Sequence, residues 1–117
     1  MAVLVTGALG QLGGELCQRL GRSAVGVDVV AGPDPTGALA THDGSRECQF
    51  RLQRLDLTNR AEVLLTICRL RPRAVINCAA YTAEDQAEKE PELALTVNAL
   101  AVSYLGAACA DGDCALI

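Results

Sequence analysis

The segment Thr6-Gly7-Ala8-Leu9-Gly10-Gln11-Leu12-Gly13 constrains the fold of this chain more than any other. It joins a short apolar run, Ala2 to Thr6, to a stretch in which Leu12, Leu16 and Leu20 recur at helical spacing as far as Gly21. Such a pattern specifies a strand, a tight turn and a helix. The glycine spacing at that junction has a physical logic. The chain must turn sharply at Gly7, bring its backbone against an anion near Gly10, and let the helix pack on the strand at Gly13, and a Cβ at any of the three would intrude. The helix that begins near Gln11 points unpaired N–H groups and the positive end of its dipole at that anion, which favours a pyrophosphate. Without a ligand the same motif is an ordinary strand-to-helix turn, so the next acid along the chain matters.

That acid is Asp28. It closes a second apolar run, Ala24 to Asp28, about 20 residues after the first glycine, where a carboxylate accepts hydrogen bonds from the ribose hydroxyls of an adenine dinucleotide. A 2′-phosphate at that place would meet like charge. Asp28 therefore predicts a preference for NADH over NADPH, which Arg22 or Arg46 would offset by folding back. The plainer alternative is a solvated acid at a strand end.

The remaining pattern alternates strands with helices. Gly32, Pro33, Asp34, Pro35 and Gly37 mark a breaker-rich loop from Val30 to Gln49. Arg51 to Asp56 reads as a third strand, and Thr58 or Asn59 caps a helix with Val63, Leu64, Ile67 and Leu70 on one face, followed by Pro72. Ala74 to Cys78 is a fourth strand, Pro91 opens a long Ala/Leu-rich helix to Gly112, and Cys114 to Ile117 begins a fifth strand. Helical crossovers of this length require parallel pairing. The expected fold is α/β, a Rossmann-type doubly wound parallel sheet of about five strands, truncated at the fifth. Residues 1–117 are expected to form one dinucleotide-binding domain, incomplete and without a substrate lobe.

Composition narrows the partners. A formal net charge of -4, with ten Lys and Arg scattered along the chain, lacks the basic clusters that a phosphate backbone needs, so no nucleic acid is expected. Met1 leads straight into Ala-Val-Leu-Val without a basic segment, and no run approaches the roughly 18 apolar residues of a membrane span. A cytoplasmic protein without membrane contact is predicted. The six cysteines, Cys17, Cys48, Cys68, Cys78, Cys109 and Cys114, include no Cys-x-x-Cys pair and read as reduced, mostly buried thiols. The lone His42 gives little support to a zinc site.

Three segments in this order, Gly7-Ala-Leu-Gly-Gln-Leu-Gly13, Asp56-Leu57-Thr58 and Val75-Ile-Asn-Cys-Ala-Ala-Tyr-Thr-Ala-Glu-Asp-Gln-Ala-Glu88, with Val97-Asn98-Ala99 further on, carry a resemblance. The chain resembles the dTDP-4-dehydrorhamnose reductases, a family of extended short-chain dehydrogenases/reductases, over nearly its whole length outside the Val30 to Gln49 loop. The resemblance implies hydride transfer from NADH or NADPH to the 4-keto group of a dTDP-6-deoxy sugar, the last step of dTDP-L-rhamnose synthesis. It places Gly10, Gln11 and Leu12 at the pyrophosphate, Asp28 at the adenosine ribose, Asp56 and Leu57 at the adenine, and Ala79, Ala80 and Tyr81 on the nicotinamide side. Tight packing also explains Ala79 and Ala80, since alanine is frequent in buried turns. Glu84, Asp85 and Glu88 read as a solvated helix start. Some relatives hold Mg2+ at a dimer contact through an acid matching Glu15, and a homodimer is expected with it.

The family's catalytic Ser or Thr and its Tyr-x-x-x-Lys pair, in which Lys lowers the Tyr pKa for proton transfer to the carbonyl oxygen, do not occur. The only Lys is Lys89, and Asp85 stands four residues before it. The chain is expected to bind the dinucleotide and to show no reductase activity alone. The alternatives are a non-catalytic regulatory subunit and a nucleotide-sugar epimerase or dehydratase of the same superfamily.

Overall fold

A computed structural model describes residues 2–29, 38–40, 50–79 and 91–117. Its strands are β1 (Val3–Thr6), β2 (Ala24–Asp28), β3 (Ala38–Ala40), β4 (Phe50–Arg54), β5 (Ala74–Asn77) and β6 (Ala115–Leu116), and its helices are α1 (Gln11–Leu20), α2 (Arg60–Leu70) and α3 (Pro91–Gly112). They form one sheet in the order β3-β4-β2-β1-β5-β6. Every pairing is parallel except β3 with β4, which is antiparallel. Five parallel strands are as expected. The sixth, β3, lies inside the segment read as loop, where Ala-Leu-Ala is too short to display a period.

Both faces of the sheet are covered, and the alternation along β1 shows how. Val3 and Val5 pack with Ala8, Cys17, Ala24, Phe50 and Leu52 under α1, while Leu4 joins Val25, Val27, Val63, Ile67, Val75, Leu105 and Ala108 under α2 and α3. A parallel strand buried on both sides reads as an unbroken apolar run for this reason. Burying each such Val or Leu stabilises the fold by about 1.5–3 kcal/mol.

The leucine stripe of α1 plays a smaller part than its spacing predicts. Its buried residues are Gly13, Gly14 and Cys17; Leu16 and Leu20 only flank the core, and Leu12 is 64% exposed. Small residues face the sheet because the helix starts so close to it. Helix α2 is capped by Asn59, whose side chain accepts the Glu62 N–H at 3.2 Å, and it ends on Arg71 in the left-handed region (φ 46). No helix among the described residues is long and apolar enough to cross a membrane.

Candidate functional site

In the strand order, β2 and β5 lie on opposite sides of β1. The chain therefore leaves the carboxyl ends of β1 and β5 toward opposite faces, and a crevice opens at that switch point, where α/β sheets bind ligands. A cavity of about 270 Å³ lies against these strand ends, lined by Gly7 after β1, Asp28 at the end of β2, Asp56 and Leu57 after β4, Ala79 after β5, and Asn98 and Ala101 from α3.

The loop after β1 is held by the chain's own bonds. Gly7 takes φ 67, a conformation that side chains disfavour. A Cβ there would stand 2.7 Å from the Ala79 nitrogen and 2.8 Å from the Cys78 carbonyl. The Gly7 carbonyl accepts the Gly10 N–H at 3.0 Å, and a Cβ on Gly13 would come within 2.1 Å of that same oxygen. Gly10 caps α1 without a side-chain bond, so the N–H groups of Gln11, Leu12 and Gly13 have no partner within the helix. That is an anion-binding end.

Asp28 does more than its position predicts. One carboxylate oxygen accepts the Leu9 N–H of the glycine loop at 2.9 Å, and the other accepts the Val29 N–H at 2.8 Å. The acid thus fastens the loop to β2, assisted by the Ala8 N–H donating to the Val27 carbonyl. Each oxygen keeps acceptor capacity for a hydroxyl. Asp56 accepts both the N–H and the hydroxyl of Thr58 on one oxygen, at 3.0 and 2.7 Å, an Asx turn that sets the course of Leu57.

Thr6 and Asn77 tie β1 to β5 at the floor of the crevice. The fully buried Thr6 hydroxyl donates to the Asn77 side-chain oxygen at 2.6 Å and accepts the Ala79 N–H at 3.2 Å. Below them the Cys17 thiol is pushed up to about 12, first by burial and then by the nearby Cys78 thiol, and burial also pushes Cys78 up. Both thiols stay protonated near neutrality and serve as packing.

Of the residues singled out from sequence, Gly7, Asp28, Asp56, Leu57 and Ala79 share one cavity. Gly10, Gln11 and Leu12 are exposed at the start of α1, and Gly13 is buried beneath the loop. Ala80, Tyr81, Glu84, Asp85, Glu88 and Lys89 lie outside the described residues, as do Arg46, His42 and Cys48. Glu15 pairs with Arg19 at 3.1 Å on the surface of α1. Sequence reading missed the roles of Thr6, Asn77, Thr58 and Asn98. The signal for the first two was a polar residue closing an apolar strand, and for Asn98 an amide inside an Ala/Leu-rich helix.

Residues 1–117, the whole chain, match the family model described as RmlD substrate binding domain. The chain belongs to the RmlD family. This RmlD chain is 40% identical over 106 residues to a dTDP-4-dehydrorhamnose reductase of Streptomyces griseus, covering 91% of the chain and 28% of that relative. It is 34% identical over 114 residues to a dTDP-4-keto-6-deoxy-D-glucose reductase of Streptomyces niveus, covering 97% and 33%. Among solved structures it superposes with a TM-score of 0.63 on a dTDP-4-dehydrorhamnose reductase from Bacillus anthracis in complex with NADP, at 29% identity, over 98% of the chain and 34% of that structure. It thus spans about a third of the length of these RmlD relatives.

Proposed function

We propose that this chain is the nicotinamide-dinucleotide-binding domain, residues 1–117, of a reductase acting on the 4-keto group of a dTDP-4-keto-6-deoxy sugar, as in dTDP-4-dehydrorhamnose reductase. The observation that carries the proposal is the cavity at the switch point, lined together by Gly7, Asp28, Asp56, Leu57 and Ala79. The dinucleotide supplies the hydride. Gly7 and Gly13 keep the loop free of side chains, and the N–H groups of Gln11 and Leu12 face the pyrophosphate. Asp28 accepts from the adenosine ribose, Asp56 and Leu57 flank the adenine, and Ala79, Ala80 and Tyr81 border the nicotinamide side. The Asp28 carboxylate disfavours a 2′-phosphate, which supports NADH over NADPH.

Mg2+ at a dimer contact through Glu15 is supported by the family resemblance alone. A single cation needs several oxygen ligands, the described residues contain no group of three or more His, Cys, Asp or Glu that could hold a metal, and Glu15 already accepts from Arg19. The cytoplasm is the proposed location and a homodimer the proposed assembly, both supported by the family resemblance and the second open to sedimentation.

Isothermal titration of the chain with NADH and NADPH tests the reading. Binding of NADH, weaker binding of NADPH, and no turnover with a dTDP-4-keto-6-deoxy sugar are expected. Failure of both dinucleotides to bind overturns the proposal, and turnover overturns the assignment of catalysis to residues outside this chain.

A further inference from the structure

Helix α3 ends in a turn that brings two cysteines together. The Cys114 N–H donates to the Cys109 carbonyl at 3.0 Å, and Asp113 between them takes φ 54. This is the longer hydrogen bond of a Schellman ending, whose geometry seats the side chains at its two ends against each other. Here those side chains are both thiols, and the Cys114 thiol adds to burial in pushing Cys109 up. Cys109 lies in the core under α2 and α3, 3% exposed, while Cys114 is half-buried at its edge.

We propose that Cys109 and Cys114 form a redox-responsive dithiol, a modification site whose substrate is a small uncharged disulfide and whose product is an intrachain disulfide clipping the end of α3 to the start of β6. The order of events follows from access. Cys114, reached from solvent, loses its proton to water, and its thiolate attacks one sulfur of the small disulfide. That S–S bond breaks, one small thiolate leaves and takes up a proton, and a mixed disulfide remains on Cys114. Cys109 is the slower thiol, pushed up to about 12 by burial and by Cys114 beside it, and it needs no solvent access because its target is already adjacent. It loses its proton, attacks the Cys114 sulfur and expels the second small thiolate. Two protein thiols are oxidised, one small disulfide is reduced to two thiols, and no other reactant enters. Exposed Asp111 and Asp113 flank the turn, which favours an uncharged reagent over an anionic one.

The clip joins the two elements that frame one side of the crevice. Helix α3 carries Asn98 and Ala101 on the cavity wall, and β6 pairs with β5, the strand leading to Ala79.

The chain is incubated with hydroxyethyl disulfide, acid-quenched, denatured, alkylated with iodoacetamide and mapped by mass spectrometry. The expected result is a Cys109–Cys114 peptide that lacks alkylation and has lost the mass of two hydrogens, with a raised Tm that dithiothreitol reverses. Cys109→Ser should trap the mixed disulfide on Cys114, and Cys114→Ser should leave Cys109 free of any adduct. Full alkylation of both residues after the exposed Cys68 has reacted to completion overturns the proposal, as does a disulfide joining either residue to another cysteine. The wild-type map decides the matter even if a variant fails to fold.

Discussion

The Thr6 hydroxyl donates to the side-chain oxygen of Asn77 at 2.6 Å across the β1–β5 pair. The Thr6 hydroxyl oxygen in turn accepts the Ala79 N–H at 3.2 Å, so one buried hydroxyl holds the strand end from which the crevice floor leaves. Thr6→Val keeps the shape and removes both bonds. Stranding a buried polar group costs about 1–3 kcal/mol, so urea denaturation should show a loss of roughly 2 kcal/mol, with weaker NADH binding. An unchanged midpoint and affinity would show that the bridge is dispensable.

Gly13→Ala places a methyl group 2.1 Å from the Gly7 oxygen, which is backbone and fixed by the Gly10 N–H. The helix must move outward to admit it, and overpacking of this kind costs about 1–3 kcal/mol. At least a tenfold loss of NADH affinity is expected by calorimetry. Wild-type affinity would mean that the loop accommodates the methyl by yielding elsewhere.

Asp28→Ala removes the acceptor for two backbone N–H groups, from Leu9 and Val29. Affinity for both dinucleotides should fall as the loop loosens, and NADH should lose more than NADPH because the like charge disappears too. Parallel titrations check the ratio. A drop in NADH binding with no change in the NADPH-to-NADH ratio would leave Asp28 as a loop fastener only.

Cys17 and Cys109 predict an alkaline limit to stability. Burial raises each thiol from an ordinary 9.0 to about 12, so the unfolded chain releases these protons first. Their contribution is fully present below pH 9.0 and is lost as pH rises toward about 12. The slope in that window is roughly 1.4 kcal/mol per pH unit for each thiol. Denaturation midpoints at successive pH values measure it, and Cys17→Ala should flatten the curve.

Arg71 ends α2 at φ 46, where an L side chain costs about 1–2 kcal/mol and glycine carries an unfolded-state penalty of about 0.5–1 kcal/mol. Arg71→Gly should therefore raise stability by about 0.5 kcal/mol. A lowered Tm would show that the Arg71 side chain contributes through contacts along the α2–α3 groove that it lines.

Much of this architecture is legible in residues 1–28, where glycine spacing, apolar runs and a terminal acid all follow local rules. The crevice was partly legible too, since Gly7, Asp28, Asp56, Leu57 and Ala79 stand at or just past the ends of four different strands and a parallel sheet gathers such ends on one side. What sequence could not convey was the pairing. That Thr6 meets Asn77, or that Leu9 donates to Asp28, depends on which strands are neighbours, and no local pattern encodes it. The edge strand β3 was hidden for another reason, because its three residues owe their conformation to β4.

The fastening of the glycine loop to β2 through Asp28 and Val27 bears on kinetics. A loop already braced by its own sheet has no ordering step left to perform when a dinucleotide arrives. Association should then appear as a single phase whose rate rises linearly with nucleotide concentration, without the plateau that a rate-limiting rearrangement of the receptor imposes.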